Sequence, residues 1–229
     1  MVSKIRDGRR RRGDESRRAI LSDAVNLASI HGLDGLSIGA LAETTGSSKS
    51  GVVALFGSKL DLQLATIQAA REVFLQRVVE PTLRAPRGVT RLWALCRTWL
   101  DYSRSRAFDG GCFFRAAAAE ADSKPGPIRD ALVVVDEEWI AFVERCVTLA
   151  AEGLPALRNP QLLAFELIAL LDAANRSSLL HGNDSAYEYA EAAVRDRLIA
   201  AGADPELLDG VPRQPISGKA RPAAARATG

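Results

Sequence analysis

Ser48, Lys49 and Ser50 stand side by side in the run SSKSGVVALFGSK, which Ser58 and Lys59 close. Two hydroxyls and an ammonium within one helical turn suit non-covalent chemistry. They can donate hydrogen bonds to phosphate oxygens and to base edges in a DNA groove. Covalent chemistry has no comparable set of residues. The two histidines, His31 and His181, lie far apart in the chain. Cys96, Cys112 and Cys146 are isolated, odd in number and without metal-ligand spacing. No glycine-rich phosphate loop and no nucleophile elbow occurs. No enzyme activity, metal or cofactor is therefore expected. The cysteines read as buried thiols of a reducing compartment, and sensing by oxidation would need two of them close in space.

The neighbouring residues spell out the elements that must hold this cluster. Ser37 is an N-cap for a short helix whose one face is Ile38, Leu41 and Ala42. Gly46 stops that helix in the left-handed conformation that glycine tolerates. Ser48 caps the next helix, and Val52 and Phe56, one turn apart, give it an apolar face. Small Ala42, turning Gly46 and buried Val52 fall at the spacing of a helix-turn-helix. The outer face of the second helix is then Ser48, Lys49, Ser50, Val53 and Ala54, fit to enter a major groove. A plain helical hairpin inside a core is the bland alternative. Upstream, residues 15–31 predict a first helix on Ile20, Ala24, Leu27 and Ala28, with Gly32 and Gly35 at its exit and His31 as a partner for its dipole. Downstream, Ser58 and Asp61 predict a capping-box variant that opens a helix to about Val79, roughly 30 Å long.

The run SKSGVVALFGSKLDLQLAT resembles the signature of the TetR family of bacterial transcriptional regulators, which ends in an aromatic, a turn and a Ser-Lys, here Phe56, Gly57, Ser58 and Lys59. ILSDAVNLASIHGLDGLSI resembles the family's first helix, its glycine turn and the entry to helix two. The specific resemblance covers residues 15–75; beyond them only the pattern of helices fits. It departs at Val53, where members usually carry tyrosine, at Leu55, often histidine, and at Ser47, usually apolar. The first two positions typically touch DNA phosphates. The resemblance implies repression, a palindromic operator and release by a small-molecule ligand bound in the C-terminal domain.

Charge is unevenly spread. Residues 1–18 carry eight basic and three acidic side chains, a charge of +5, and the last eighteen carry four basic and no acidic ones, +4. The whole chain is only +2, so the body between is −7. A basic arm on an acidic body suits DNA: the arm neutralises phosphates while the body avoids non-specific contacts. Residues 1–14 are expected to be a disordered arm, with phosphate contacts from some of Arg9 to Arg12. No uncharged apolar run is long enough to span a membrane, and the basic N-terminus has no apolar core behind it, so a cytoplasmic protein is expected.

Helices are expected over residues 89–106, 112–121, 127–151 and 159–180, and from Ser185 through Ile199 with Gly202 ending the fold; Pro81, Pro86 and Gly88 break the chain before the first of them. The aromatic faces of this region have two readings, core packing and the wall of a small-molecule cavity. The candidate wall is Trp93, Cys96, Leu100, Phe113, Phe114, Glu120, Trp139, Phe142 and Phe165, with Arg115 beside Glu120. The helix after Asn159-Pro160 is apolar nearly all round, and Ser185 to Glu188 predicts a capping box for the one that follows. Surplus apolar surface on these two helices, Leu163, Leu167, Leu170, Leu171, Val194 and Leu198, argues for a homodimer built as a four-helix bundle, as the family's last two long helices usually form.

The sequence thus predicts an all-α protein: an arm over 1–14, a helix-turn-helix domain over 15–58, a helical ligand-binding and dimerisation domain over 59–202, and a disordered tail over 203–229. The candidate DNA-contacting residues are Arg10, Arg11, Arg12, Arg17, Ser37, Ser47, Ser48, Lys49, Ser50, Val53, Ala54 and Lys59. Its partners are a double-stranded DNA operator, a second copy and an unidentified small-molecule effector. The competing reading is a helical ligand-binding or interaction protein with weakened DNA binding, motivated by Val53 and Leu55.

Overall fold

A computed structural model of the chain describes the backbone of residues 2–210 and the side chains of residues 13 and 15–210. The helices, in chain order, are α1 (Val2–Gly35), α2 (Ile38–Thr45), α3 (Lys49–Phe56), α4 (Lys59–Phe74), α5 (Glu80–Arg84), α6 (Val89–Arg104), α7 (Phe113–Ala121), α8 (Pro127–Ala150), α9 (Pro160–His181), α10 (Ser185–Ala200) and α11 (Pro205–Asp209). No strand occurs among the described residues. The chain forms two compact units that do not follow its order. Among the described residues, one joins residues 2–71 with Phe108–Leu132; the other joins Glu72–Ala107 with residues 133–210.

The first unit is built on a small apolar core. Ile20 and Ala24 of α1 meet Leu41 and Ala42 of α2, Val52 and Phe56 of α3, Leu36 between helices and Leu62 of α4. Helix α1 is kinked at Gly32, whose φ of 75° is left-handed. Beyond the kink the amides of Leu33 and Asp34 have left the helical ladder, and the Glu120 carboxylate of α7 accepts both, at 2.7 Å each. The carbonyls of the same turn are also bound: Gln63 Nε2 donates to Leu33 O at 2.6 Å and Lys59 Nζ to Asp34 O at 2.7 Å. Lys124 Nζ lies 2.9 Å from Asp34 Oδ2 and holds that carboxyl below the usual carboxylate range. The segment before α7 docks on the middle of α1. Asn26 and Asp109 exchange two hydrogen bonds at 2.9 Å, and Gly110 N donates to Ser29 Oγ at 3.0 Å. Gly110 sits so close that an added Cβ would fall 1.9 Å from Ser29 O.

The second unit is centred on α6, which buries Leu92, Trp93, Leu95, Cys96, Trp99, Leu100 and Tyr102. It packs against α9 and α10, which also pack on each other. The Arg197–Glu166 pair, at 2.6 Å, ties α10 to α9. A buried polar patch crosses the three helices: Ser103 Oγ lies 2.8 Å from both Asn175 Oδ1 and the Tyr187 hydroxyl, and Arg106 reaches Ser178 Oγ at 2.9 Å. Phe74 meets Tyr102 and Trp139 edge-on, with ring centroids 5.5 and 5.2 Å away.

The structure corrects several expectations. The N-terminal arm carries helical backbone from Val2 on, continuous with α1; arginine is a strong helix former. Pro81 does not break the chain. The helix passes through a π-helical stretch, Leu75–Val79, into α5, and the wider turn accommodates a residue without an N–H. The tail expected from residue 203 begins with α11, whose Leu208 is buried and accepts a hydrogen bond from Trp93 Nε1 at 2.8 Å; residues 211–229 lie outside the described residues. The Ser185 box does not form, because Ser185 Oγ turns to Asn183 Oδ1 at 2.7 Å. Most importantly, Leu163, Leu167, Leu171, Val194 and Leu198 are buried inside the unit at 0–1 % exposure, so they cannot face a second copy, and Leu170 is only half-buried. The exposed apolar residues of these helices are instead Leu162, Phe165, Leu179, Leu180 and Tyr189.

Gly110→Ala is expected to cost about 3 kcal/mol, since the new methyl meets backbone that cannot step aside. Gly13→Ala, where an added Cβ meets nothing within 4 Å, is expected to be neutral or slightly stabilising. Thermal denaturation followed by circular dichroism compares the two; equal melting temperatures would mean that the 108–111 segment is not docked on α1.

Candidate nucleic-acid interface

Helix α3 is capped at its start and anchored at its end. Ser48 Oγ accepts from Gly51 N at 3.0 Å and lies 3.2 Å from Ser50 Oγ. Gly46 is left-handed at φ 64°, and Ser47 N closes the turn onto Ala42 O at 3.0 Å. Val52 and Phe56 are 0 % and 5 % exposed. That leaves Ser48, Lys49, Ser50, Val53 and Ala54 exposed together, as the spacing predicts; Val53 is 44 % exposed. Leu55 is half-buried and packs against the core, which is why an apolar residue stands there without cost to the fold.

Helix α2 contributes its N-terminus. Ser37 is its N-cap, with Ala40 N donating to Ser37 Oγ at 3.1 Å. Lys49 leans back towards it: a Cβ added at Gly39 would meet Lys49 Cε at 3.6 Å and Lys49 Nζ at 3.8 Å. A lysine, a hydroxyl and the partial positive charge of a helix start thus share one edge of the unit. Gly39, missed in the sequence, matters because its lack of a side chain leaves Lys49 that room. Ser47 is half-buried in the turn.

The remaining candidates are placed differently from one another. Ser58 caps α4, accepting from Asp61 N at 3.1 Å and donating to Asp61 Oδ2 at 2.6 Å. The Lys59 ammonium holds Asp34 O, so its first task is to tie α4 to the turn after α1. Arg17 donates to the Leu55 carbonyl, and its guanidinium lies 4.5 Å from the centroid of the Phe56 ring. Arg10, Arg11 and Arg12 lie on the helical backbone of α1, but their side chains are outside the described residues.

The candidate cavity residues fall in two groups. In the second unit, Trp93, Cys96, Leu100 and Trp139 are buried, and Phe142 lies beside Trp139 with centroids 6.2 Å apart. Phe74, which joins Trp139 to Tyr102, belongs with them and was missed, since its helix reads from the sequence as a connector. Phe165 is 70 % exposed and lines no interior. Phe113 and Phe114 are buried in the first unit, where Phe113 meets Phe114 and Phe108 at 5.2 and 6.4 Å. Glu120 is bound to the two amides of the Gly32 turn and is no free group of a cavity wall. Among the described residues no group of three His, Cys, Asp or Glu could hold a metal ion, and no helix is long and apolar enough to cross a membrane.

Residues 88–194 match the family model described as the tetracyclin repressor-like C-terminal domain. No curated protein matches the chain. Among solved structures, a TetR transcriptional regulator from Chloroflexus aurantiacus is similar at 24% sequence identity and a TM-score of 0.74, over 80% of this chain and 94% of that one. A TetR-family transcriptional regulator from Streptomyces coelicolor is similar at 20% identity and a TM-score of 0.70, over 81% and 90%. AibR, crystallised with isovaleryl coenzyme A and operator DNA, is similar at 20% identity and a TM-score of 0.63, over 78% and 95%. At these identities the likeness is one of fold.

Burial sets the reactivity of the thiols. It pushes Cys96 far above its ordinary range, with Cys146 nearby adding to the effect, and it pushes Cys146 up to about 11 against the opposing charges of Arg91 and Arg145. The thiolate is the reactive form, so both should be inert in the folded protein at pH 8. Maleimide labelling followed by peptide mass spectrometry is expected to leave Cys96 and Cys146 unmodified until denaturant is added. Rapid labelling of the native protein at either would revive an oxidation-sensing reading.

Proposed function

Since this chain belongs to the TetR family of transcriptional regulators by its C-terminal domain and its fold, we propose that it acts as a homodimeric repressor that binds a palindromic operator and is released by a small-molecule effector. The family is not one of enzymes. The observation that carries the operator reading is the exposed face of α3: Ser48, Lys49, Ser50, Val53 and Ala54 point outward while Val52 and Phe56 fix the helix from behind. Lys49 and the capped start of α2 supply phosphate partners beside it. The basic residues among the first eighteen bring a net charge of +5 to the same end of the chain. AibR supports the pairing of operator with effector, since a protein of this fold was crystallised with both.

The effector reading rests on the second unit. Trp93, Cys96, Leu100, Trp139 and Phe142, with Phe74, offer an apolar and aromatic surrounding that suits a small, largely apolar molecule. Coupling is reciprocal: an effector that weakens operator binding is itself bound less tightly by the operator-bound protein, by the same factor.

The homodimer reading moves to a new face of α9 and α10. Leu162, Phe165 and Leu180 are 48, 70 and 71 % exposed on α9, and Tyr189 is 73 % exposed on α10. Along α9, positions 162, 165, 169, 173, 176 and 180 fall on one stripe and are all exposed. These are Leu162, Phe165, Ala169, Ala173, Arg176 and Leu180, an apolar stripe but for one arginine, and a two-fold partner covers it and sets two α3 helices for two half-sites.

Phe165→Glu is expected to yield a folded monomer in analytical ultracentrifugation, whereas Leu167→Glu, a core change, is expected to unfold the unit. A Phe165→Glu variant that stays dimeric would place the interface elsewhere. Fluorescence anisotropy tests operator binding on DNA from upstream of the protein's own gene, with scrambled DNA as control, at several salt concentrations. Tight, salt-dependent and sequence-selective binding is expected, and Lys49→Ala should lower both the affinity and the salt slope, the latter by about one. If no sequence is preferred even in a selection from random DNA, the protein is a helical ligand-binding or interaction protein and the operator reading fails.

A further inference from the structure

Helix α3 has eight residues and no basic residue in its last turn. A helix end exposes carbonyls without intrahelical partners and a partial negative charge, and cations stabilise it. Here the cation comes from another helix. Arg17 of α1 donates to Leu55 O, one residue before the end of α3, and lays its guanidinium over the ring of Phe56, 4.5 Å from the centroid. Neighbouring carbonyls are taken by the turn itself: Gly57 N donates to Val53 O at 2.7 Å and Ser58 N to Phe56 O at 3.0 Å. Arg17 is half-buried, between the core residues of α1 and the end of α3.

We propose that Arg17 is a positioning residue for α3, capping its C-terminus from α1 and fixing its angle, rather than a side chain that contacts DNA phosphate. The proposal rests on the operator reading for its functional consequence, but the contact itself is independent of DNA. Three features favour it over a phosphate contact. The guanidinium already has an acceptor and an aromatic face. Both partners lie at the end of α3 farthest from Ser48 and Lys49. An eight-residue helix is too short to hold its own geometry in water, so its direction must be set by tertiary contacts. Arginine suits the task because its planar fork can donate in the plane while its face stacks on a ring; lysine cannot do both.

Two measurements on the full chain test this, with Arg17→Ala and Arg17→Lys. The first needs no DNA. Hydrogen exchange read by mass spectrometry is expected to show peptides over 49–57 losing protection by at least roughly tenfold in Arg17→Ala, with α2 and α6 peptides unchanged, and Arg17→Lys recovering only part of it. Unchanged protection over 49–57 overturns the proposal, and so does an equal loss throughout the unit, which would make Arg17 an ordinary stabilising residue. The second uses operator and scrambled DNA across salt concentrations. Arg17→Ala is expected to weaken operator binding about tenfold while leaving the salt slope and the scrambled-DNA affinity as they were. A slope lowered by about one, equal losses on both DNAs and full rescue by Arg17→Lys would make it a phosphate contact and overturn the proposal. If the unmodified protein prefers no sequence, the operator reading fails while the exchange result still decides the contact.

Discussion

An eight-residue helix in water does not stay formed by itself, because nucleation costs more than two turns of hydrogen bonds return. Both α2 and α3 are of that length, and α3 presents the face proposed to meet DNA. Everything near α3 answers this constraint. Ser48 fills the first turn, Val52 and Phe56 fix the buried side, and Arg17 holds the end. Gly46 lets α2 stop within one residue, so that Val52 can return to Ala42. The hydrophobic contribution from burying Val52 and Phe56 is about 1.5–3 kcal/mol each, larger than any single cap at about 1 kcal/mol. The anchors thus decide that the helix forms, and the caps and Arg17 decide how it is aimed.

The same unit solves a second problem at the other end of α1. A long helix that must turn at Gly32 leaves amides and carbonyls without partners, and buried backbone groups need them. Glu120, Gln63 and Lys59 provide them from two other helices. This gives the segment Phe108–Leu132 its place: by chain order it lies between α6 and α8, and by contact it belongs with α1. Its residues are therefore covalently tied to the second unit on both sides while hydrogen-bonded to the first. Within that unit the fit is tight at Gly110, which has no room to shift against Ser29.

What the sequence reveals and what it hides divide along range. The helix-turn-helix was legible because its signals are local: Ser37, Gly46, Ser48, Val52 and Phe56 lie within twenty residues, and each acts on neighbours in the chain. The caps at Ser58 and Asn159 were legible for the same reason. The exposed apolar face of α9 was not. Helix α9 is apolar nearly all round, so periodicity finds no preferred face, and only the packing of α6 and α10 decides that Leu163 and Leu167 turn inward and Phe165 outward. Helix α11 depends on an indole 115 residues away. Glu120 looked like a polar group for a cavity because its partners, two bare amides, carry no side-chain signal at all.

Val53 and Leu55 can be weighed on the same terms. Leu55 turns its side chain to the core and gives its carbonyl to Arg17, so its position serves the aim of the helix. Val53 is exposed and apolar in the middle of the proposed reading face, where it could touch a thymine methyl but not hold a phosphate. Loss of a phosphate partner there must be met by charge elsewhere. The chain carries such charge: Lys49 beside the start of α2, and seven basic residues other than Arg17 among the first eighteen. The proposed operator binding would then draw its selectivity from a small central patch and its strength from long-range charge. The acidic body, at −7, would weaken contacts with DNA of the wrong sequence.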